Sequence, residues 1–266
     1  MPTPPPIIAA IHTLPSVVSH RKDCYSTDQI VRHAVMHAQV AFDAGVRAWY
    51  VQDTRDTPLG PTVLPETVAL MTLVGAALRR RFPGVLQGIS LMGHGARTPL
   101  AIAHAVGAQF VRLKVYVGAM MKMEGLLTGC AYDALETRRS LGAVDIQIFT
   151  DIYDRVGEPV APLPLAEACR QAVEFGRADG LVITGKSVDH TMAMLDEAKA
   201  AAQGAPLLVG GGATVDNAAA FLARAQHLVV HGAFAAHKPY MMVDDLPLEW
   251  DGTKIAAMVV AAGDRA

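Results

Sequence analysis

The chain has 266 residues, of which 52% are hydrophobic and 18% charged, and its formal net charge is −2. That balance supports a buried core of single-barrel size and excludes a disordered chain. Arg79-Arg80-Arg81 is the one basic run, and without a basic stripe or an RNA-binding motif it gives no reason to expect a nucleic-acid partner.

Three cysteines, Cys24, Cys130 and Cys169, are too few and too scattered for a disulfide framework or a zinc ribbon, which favours a reducing compartment. Every apolar stretch is broken by charge, glycine or proline before about 20 residues, so no membrane span is expected. The opening Met1-Pro2-Thr3-Pro4-Pro5-Pro6 reads as a proline-rich lead-in, not a secretory leader, and a cytoplasmic setting is the expectation.

From residue 7 onward, short apolar runs alternate with longer helical patterns. Strands are predicted at Ile7–Ile11, Ala48–Val51, Leu86–Ser90, Phe110–Val115, Ile146–Thr150, Leu181–Thr184, Leu207–Val209 and Leu228–Val230. The runs are unbroken, as strands covered on both faces should be. Helices are predicted at Asp28–Ala44, Glu66–Phe82, Pro99–Val106, Ala131–Leu141, Leu165–Arg177, Asp189–Ala202, Val215–Ala223 and Lys254–Ala262. Gly45, Gly107, Gly142 and Gly176 stand where left-handed helix stops would be. Eight βα units in series predict one single-domain (β/α)8 barrel. The rival, an open doubly wound sheet, lacks its G-x-G-x-x-G signature after the first strand.

In such a barrel the ligand sits at the C-terminal ends of the strands. The residues there are His12, Gln52 and Asp53, His94, Arg112 or Lys114, Asp151 followed by Asp154 and Arg155, and Thr184-Gly185-Lys186. Gly210-Gly211-Gly212 and His231-Gly232 follow the last two strands. The three glycines, with Thr214 as N-cap of a following helix, have the composition of a phosphate cradle. Each candidate also has a plain structural reading. Asp151 could simply neutralise Arg112 or Lys114, and Asp53 could be a turn former. Lys186 reads as a solvated loop cation or phosphate contact sooner than a Schiff-base lysine. His33 and His37, one turn apart, read as a surface pair on an outer helix with no third ligand beside them. Met120, Met121 and Met123 read as packing in a loop lid.

Six segments in order resemble the BtpA/SgcQ family: Ile8-Ala9-Ala10-Ile11-His12-Thr13-Leu14-Pro15, Val51-Gln52-Asp53-Thr54-Arg55-Asp56-Thr57-Pro58, Ala108-Gln109-Phe110-Val111-Arg112-Leu113-Lys114-Val115, Gly125-Leu126-Leu127-Thr128-Gly129, Asp179-Gly180-Leu181-Val182-Ile183-Thr184-Gly185 and Val209-Gly210-Gly211-Gly212-Ala213-Thr214. The resemblance implies a ribulose-phosphate-binding type of barrel. One branch of that family is named for photosystem I biogenesis, and others accompany sugar-utilisation genes. The chain departs from the family pattern at Gln52-Asp53, at Lys114, at Gly211 and in the segment after Asp151, which points to a specialised member.

The leading functional expectation is an enzyme acting on a sugar phosphate or a nucleotide-like or nucleoside-like substrate: a lyase, a glycosidic-bond hydrolase or an isomerase. Asp151, Lys114, His12 and Asp53 are the expected proton-handling and orienting groups. Gly210, Gly211, Gly212, His231, Gly232, Thr184, Gly185 and Arg112 are the expected substrate and phosphate contacts. No organic cofactor is expected. A divalent ion such as Mg²⁺ between Asp53 and Asp151 is allowed but has no ligand motif behind it, and a homo-oligomer is compatible with apolar outer helices. The alternative is a non-catalytic assembly factor of the BtpA type, or a sensor of a phosphorylated ligand.

Overall fold

The computed structural model describes residues 5–60, 62–236 and 241–263. Eight strands, β1 (Ile7–His12), β2 (Ala48–Gln52), β3 (Leu86–Ser90), β4 (Phe110–Leu113), β5 (Gln147–Ile152), β6 (Gly180–Ile183), β7 (Leu207–Val209) and β8 (His227–Val230), form a closed barrel. Every pairing is parallel, and each strand neighbours the next in sequence until β8 closes on β1. The helices are α1 (Thr27–Asp43), α2 (Pro65–Arg81), α3 (Arg97–Val106), α4 (Ala131–Ser140), α5 (Leu165–Arg170), α6 (Val188–Ala201), α7 (Ala218–Leu222) and α8 (Gly252–Ala261). This is the expected (β/α)8 barrel, and among the described residues no helix is long and apolar enough to cross a membrane.

Strand alternation splits the core in two. Ile8, Ala10, Ala48, Tyr50, Phe110, Phe149, Val182, Leu208 and Val229 pack together inside the barrel. Their sequence neighbours, such as Ile7, Ala9, Trp49, Val111, Ile148, Leu181, Val209 and Leu228, pack outward against the helices. Phe110 and Phe149 fill the barrel floor, with ring centroids 5.1 Å apart. Gly88 makes room for them: a Cβ there would lie 2.2 Å from the Phe110 ring. Of the proline-rich lead-in, residues 1–4 lie outside the described residues. The Pro5 and Pro6 carbonyls accept from His227 Nδ1 (3.1 Å) and the Leu228 N–H (2.7 Å), seating the entry of β1 on β8.

Several local expectations are corrected. The methionine segment is not an irregular loop. Ala119–Lys122 and Gly125–Thr128 form an antiparallel hairpin, extended by Glu158–Pro159, above the barrel. Alternation buries Met120 with Val115 and Leu127 while Met121 and Met123 face solvent. The fifth helix continues beyond Arg170 as a π-helical turn, Gln171–Phe175. There Gly176 keeps a right-handed φ of −77°, and Arg177 takes the positive φ instead. Glycine is needed at 176 because a Cβ would press on the Tyr116 ring at 2.6 Å. The seventh helix is shorter than expected, and Thr214 does not cap it. The Asn217 side chain holds the preceding loop instead, accepting from the Thr214 N–H (2.7 Å) and donating to the Gly212 carbonyl (3.0 Å).

Candidate active site

The same alternation that fills the barrel floor sends the next inward residue of each strand into the mouth. Above Ala10 comes His12, above Tyr50 comes Gln52, above Phe110 come Arg112 and Lys114, and above Phe149 comes Asp151. Above Val182, Leu208 and Val229 come Thr184, Gly210 and His231. Together with Gly211, Gly212, Gly232, Asp154 and Arg155 they line one cavity of about 570 Å³, within the size range of a small-molecule site.

Two expected site residues lie elsewhere. Asp53 follows Gln52 by one position, so alternation turns it away from the mouth. Its Oδ1 accepts the Met92 N–H at 2.7 Å, and it lines a small separate cavity with Asp56. Burial raises its carboxyl to about 6. Asp53 and Asp151 therefore face no common space that a divalent ion could occupy. Gly185 opens onto a neighbouring cavity beside Lys186 and His190, and its N–H donates to Thr191 Oγ1 at 3.0 Å. Lys186 pairs with Glu158 at 2.6 Å, both exposed, as a solvated loop cation would.

Asp151 and Arg112 form a bidentate pair, with Nε to Oδ2 at 2.9 Å and Nη2 to Oδ1 at 2.7 Å. Arg112 Nη1 also donates to the Tyr50 hydroxyl at 2.7 Å. Burial pushes the Asp151 carboxyl upward and the adjoining guanidinium opposes that push. Burial works against the Arg112 charge as well, but Asp151 outweighs it and holds the guanidinium protonated. The pair is thus internally neutral and geometrically fixed. Asp151 has one lone-pair direction left on each oxygen.

Lys114 is different. Its ammonium finds the Met92 sulfur but, among the described residues, no carboxylate within ion-pair distance. Burial lowers its pKa to about 8, Lys122 adding to the fall and Asp154 opposing it. Lys122 is itself paired with Asp154. Across the mouth, His12 and His231 stack with ring centroids 3.7 Å apart and planes 21° from parallel. Burial, then the neighbouring His231, lowers His12 to about 2, and burial lowers His231 too. Both rings are neutral at physiological pH. His231 Nδ1 donates to the Ala10 carbonyl at 2.9 Å, leaving Nε2 with a free lone pair.

The glycine loop has the openness of an anion cradle. The Gly210 N–H donates to the Ile183 carbonyl, but among the described residues the N–H groups of Gly211 and Gly212 have no acceptor. Gly210 is sterically required, since a Cβ would stand 2.1 Å from Thr184 Oγ1. Thr184 Oγ1, buried and lining the cavity, has no hydrogen-bond partner. Arg155 lies over Gly211, its guanidinium 3.5 Å from where a Cβ would be, and it forms no ion pair among the described residues. Strand-end reading reaches Arg155 after Asp151 but gives it no role, because the loop after β5 carries it beyond the strand's periodic pattern. Net charge in the mouth is consequently positive. Arg112 and Lys122 are each offset by a carboxylate, whereas among the described residues Lys114 and Arg155 are not.

A model of the BtpA family matches residues 3–245. The chain belongs to the BtpA family. It is 30% identical over 235 residues to the photosystem I biogenesis protein BtpA of Synechocystis sp., covering 87% of this chain and 81% of that relative. Among solved structures, tryptophan synthase from M. tuberculosis superposes with a TM-score of 0.59 at 14% identity, covering 98% of this chain and 94% of the other. 3-Keto-L-gulonate-6-phosphate decarboxylase from Vibrio cholerae gives 0.58 at 12% identity, covering 98% of each chain. At such identities these likenesses establish the barrel fold of this BtpA-family chain and nothing of its chemistry.

Proposed function

We propose that the barrel mouth takes a phosphorylated small molecule, a sugar phosphate or nucleotide-like compound, and performs acid–base chemistry on it. The observation that carries this reading is the pairing, in one cavity, of an unsatisfied glycine cradle under Arg155 with an unpaired, buried Lys114. The Gly211 and Gly212 N–H groups, Thr184 Oγ1 and Arg155 bind the phosphate. Lys114, near its own pKa at neutral pH, donates a proton or stabilises developing negative charge on the substrate. Arg112, fixed by Asp151, orients substrate oxygens, and neutral His12 and His231 do so by hydrogen bonding. Lyase, glycosidic-bond hydrolase and isomerase steps all use these parts. The name of the V. cholerae neighbour, a decarboxylase of a sugar 6-phosphate, agrees with the substrate class.

The locked Arg112–Asp151 pair favours a second reading. A mouth whose best-placed carboxylate is already neutralised also suits a non-catalytic BtpA-type factor that binds the same ligand as a signal. One experiment separates these. The purified chain is screened by thermal shift against sugar phosphates, nucleoside monophosphates and free nucleosides, with and without Mg²⁺, and stabilising compounds are followed for turnover. A ligand at about 100 times its dissociation constant stabilises by about 2.7 kcal/mol. Stabilisation by one phosphorylated class with turnover supports the enzyme, and stabilisation without turnover supports the sensor. No shift with any phosphorylated compound overturns the phosphate site.

A further inference from the structure

His33 and His37 are not the surface pair that their spacing on an outer helix suggests. Their relative exposures are 1% and 3%, and their rings meet at 4.1 Å between centroids. The missing third group comes from the far end of the chain. Glu249, just ahead of α8, brings its carboxylate to 3.7 Å from His33 Nε2. One potential ligand atom from each of the three residues lies within 4.8 Å of the others.

Two details of the hydrogen bonding point to a ligand. Neither ring nitrogen of His33 has a hydrogen-bond partner, although the side chain is fully buried. An orphaned buried imidazole costs stability unless water or an ion completes it. The nearest carboxylate oxygen, Glu249 Oε2, lies 3.7 Å from Nε2, beyond hydrogen-bond distance. His37 is also arranged as a ligating histidine usually is. Its Nδ1 donates to the His33 carbonyl at 2.9 Å, which fixes the tautomer and makes the Nε2 lone pair the acceptor, one that an ion takes only by displacing its present donor. At present that lone pair accepts only the Glu249 N–H, at 3.1 Å.

We propose that His33, His37 and Glu249 form a binding site for a divalent transition ion of the zinc type, separate from the barrel mouth. Two imidazoles and a carboxylate are a three-ligand set suited to zinc or cobalt, and too rich in nitrogen for magnesium or calcium. Tetrahedral ligands at about 2.0–2.2 Å from an ion stand closer together than the present 4.8 Å limit, so the three side chains close in on binding. Arg55 now holds Glu249 Oε2. The ion takes the other oxygen or displaces the guanidinium. Bound there, it fastens α1 to the segment ahead of α8. Trp250 lies between this site and the mouth, 5.3 Å from the His37 ring and 5.8 Å from His231, so the ion braces the wall behind the stacked histidines.

The test is a Co²⁺ titration of chelator-stripped protein, read by visible absorption, with zinc content after dialysis measured by elemental analysis. One equivalent per chain is expected, falling at least tenfold in affinity in His33→Gln and in His37→Gln while Lys114→Met binds as wild type. X-ray absorption on the zinc-loaded wild type, which does not depend on any variant folding, should show two histidine nitrogens and an oxygen donor. Failure of the wild type to retain an equivalent overturns the proposal. So does retention with unchanged affinity in both histidine variants, or an absorption spectrum without two histidine donors.

Discussion

At the residue scale, Lys114 and Asp151 show how environment divides two charged groups on neighbouring strands. Asp151 is matched on both oxygens by Arg112, whereas Lys114 has no ion-pair partner among the described residues and drops to about 8 from an ordinary value of 10.5. Between those two pH values the unfolded chain holds a proton that the folded chain has released. Unfolding free energy should therefore rise with pH across that window. Urea denaturation at pH 8 and pH 10 should show this gain in the wild type and a smaller one in Lys114→Met. Identical pH dependence in the two proteins would refute a depressed Lys114. Asp151→Asn, by contrast, strands a buried guanidinium and should cost about 3–5 kcal/mol in the same assay. A loss below about 1 kcal/mol would mean that the pair is solvated and not structural.

At the element scale, the loop between β7 and α7 carries the proposed phosphate contacts. Its three glycines serve different ends. Gly210 faces Thr184 and Val182 too closely for any side chain, and Gly212 has a φ of +82°. Gly211 has ordinary contact distances around it. Gly210→Ala should thus lose about 1–3 kcal/mol of stability by overpacking, while Gly211→Ala stays within about 0.5 kcal/mol of wild type. Equal melting temperatures for the two variants would contradict this division. The strands that present the loop were legible because two-sided burial writes them as unbroken apolar runs of the right length. Parity was present in the sequence but misapplied at the second strand. Gln52 and Asp53 are adjacent, so only one can face the mouth, and it is Gln52, not the expected Asp53. The hairpin over the mouth was not legible, because its alternation spans only four residues per strand and follows a longer strand pattern with no strong turn signal. Nor was the burial of His33 and His37, since the carboxylate facing them lies 212 positions beyond His37.

At the scale of the whole molecule, burial lowers five histidines: His12 to about 2, His37 to about 3, and His33, His227 and His231 below their ordinary range. Below pH 6.5 the unfolded chain takes up protons that the folded chain refuses, so stability should fall as pH falls. Glu249, held at about 2 by His33 and Arg55 against its burial, adds to the loss below pH 4.5. Asp53, raised to about 6, and Asp151, also raised by burial, act in the opposite direction. Calorimetry from pH 7 to pH 5 should give a steadily falling melting temperature with uptake of more than one proton on unfolding. A flat profile would mean that these histidines are solvated. The central claim is that the barrel mouth binds phosphate through the glycine loop and Arg155. The most direct test is a ³¹P NMR titration of inorganic phosphate into wild type, Arg155→Ala and Gly211→Asp. Saturable binding by the wild type at pH 7, weakened at least tenfold in both variants and falling as pH rises through about 8 with Lys114, is the predicted result. Absence of binding, or binding that both variants retain undiminished, would contradict it.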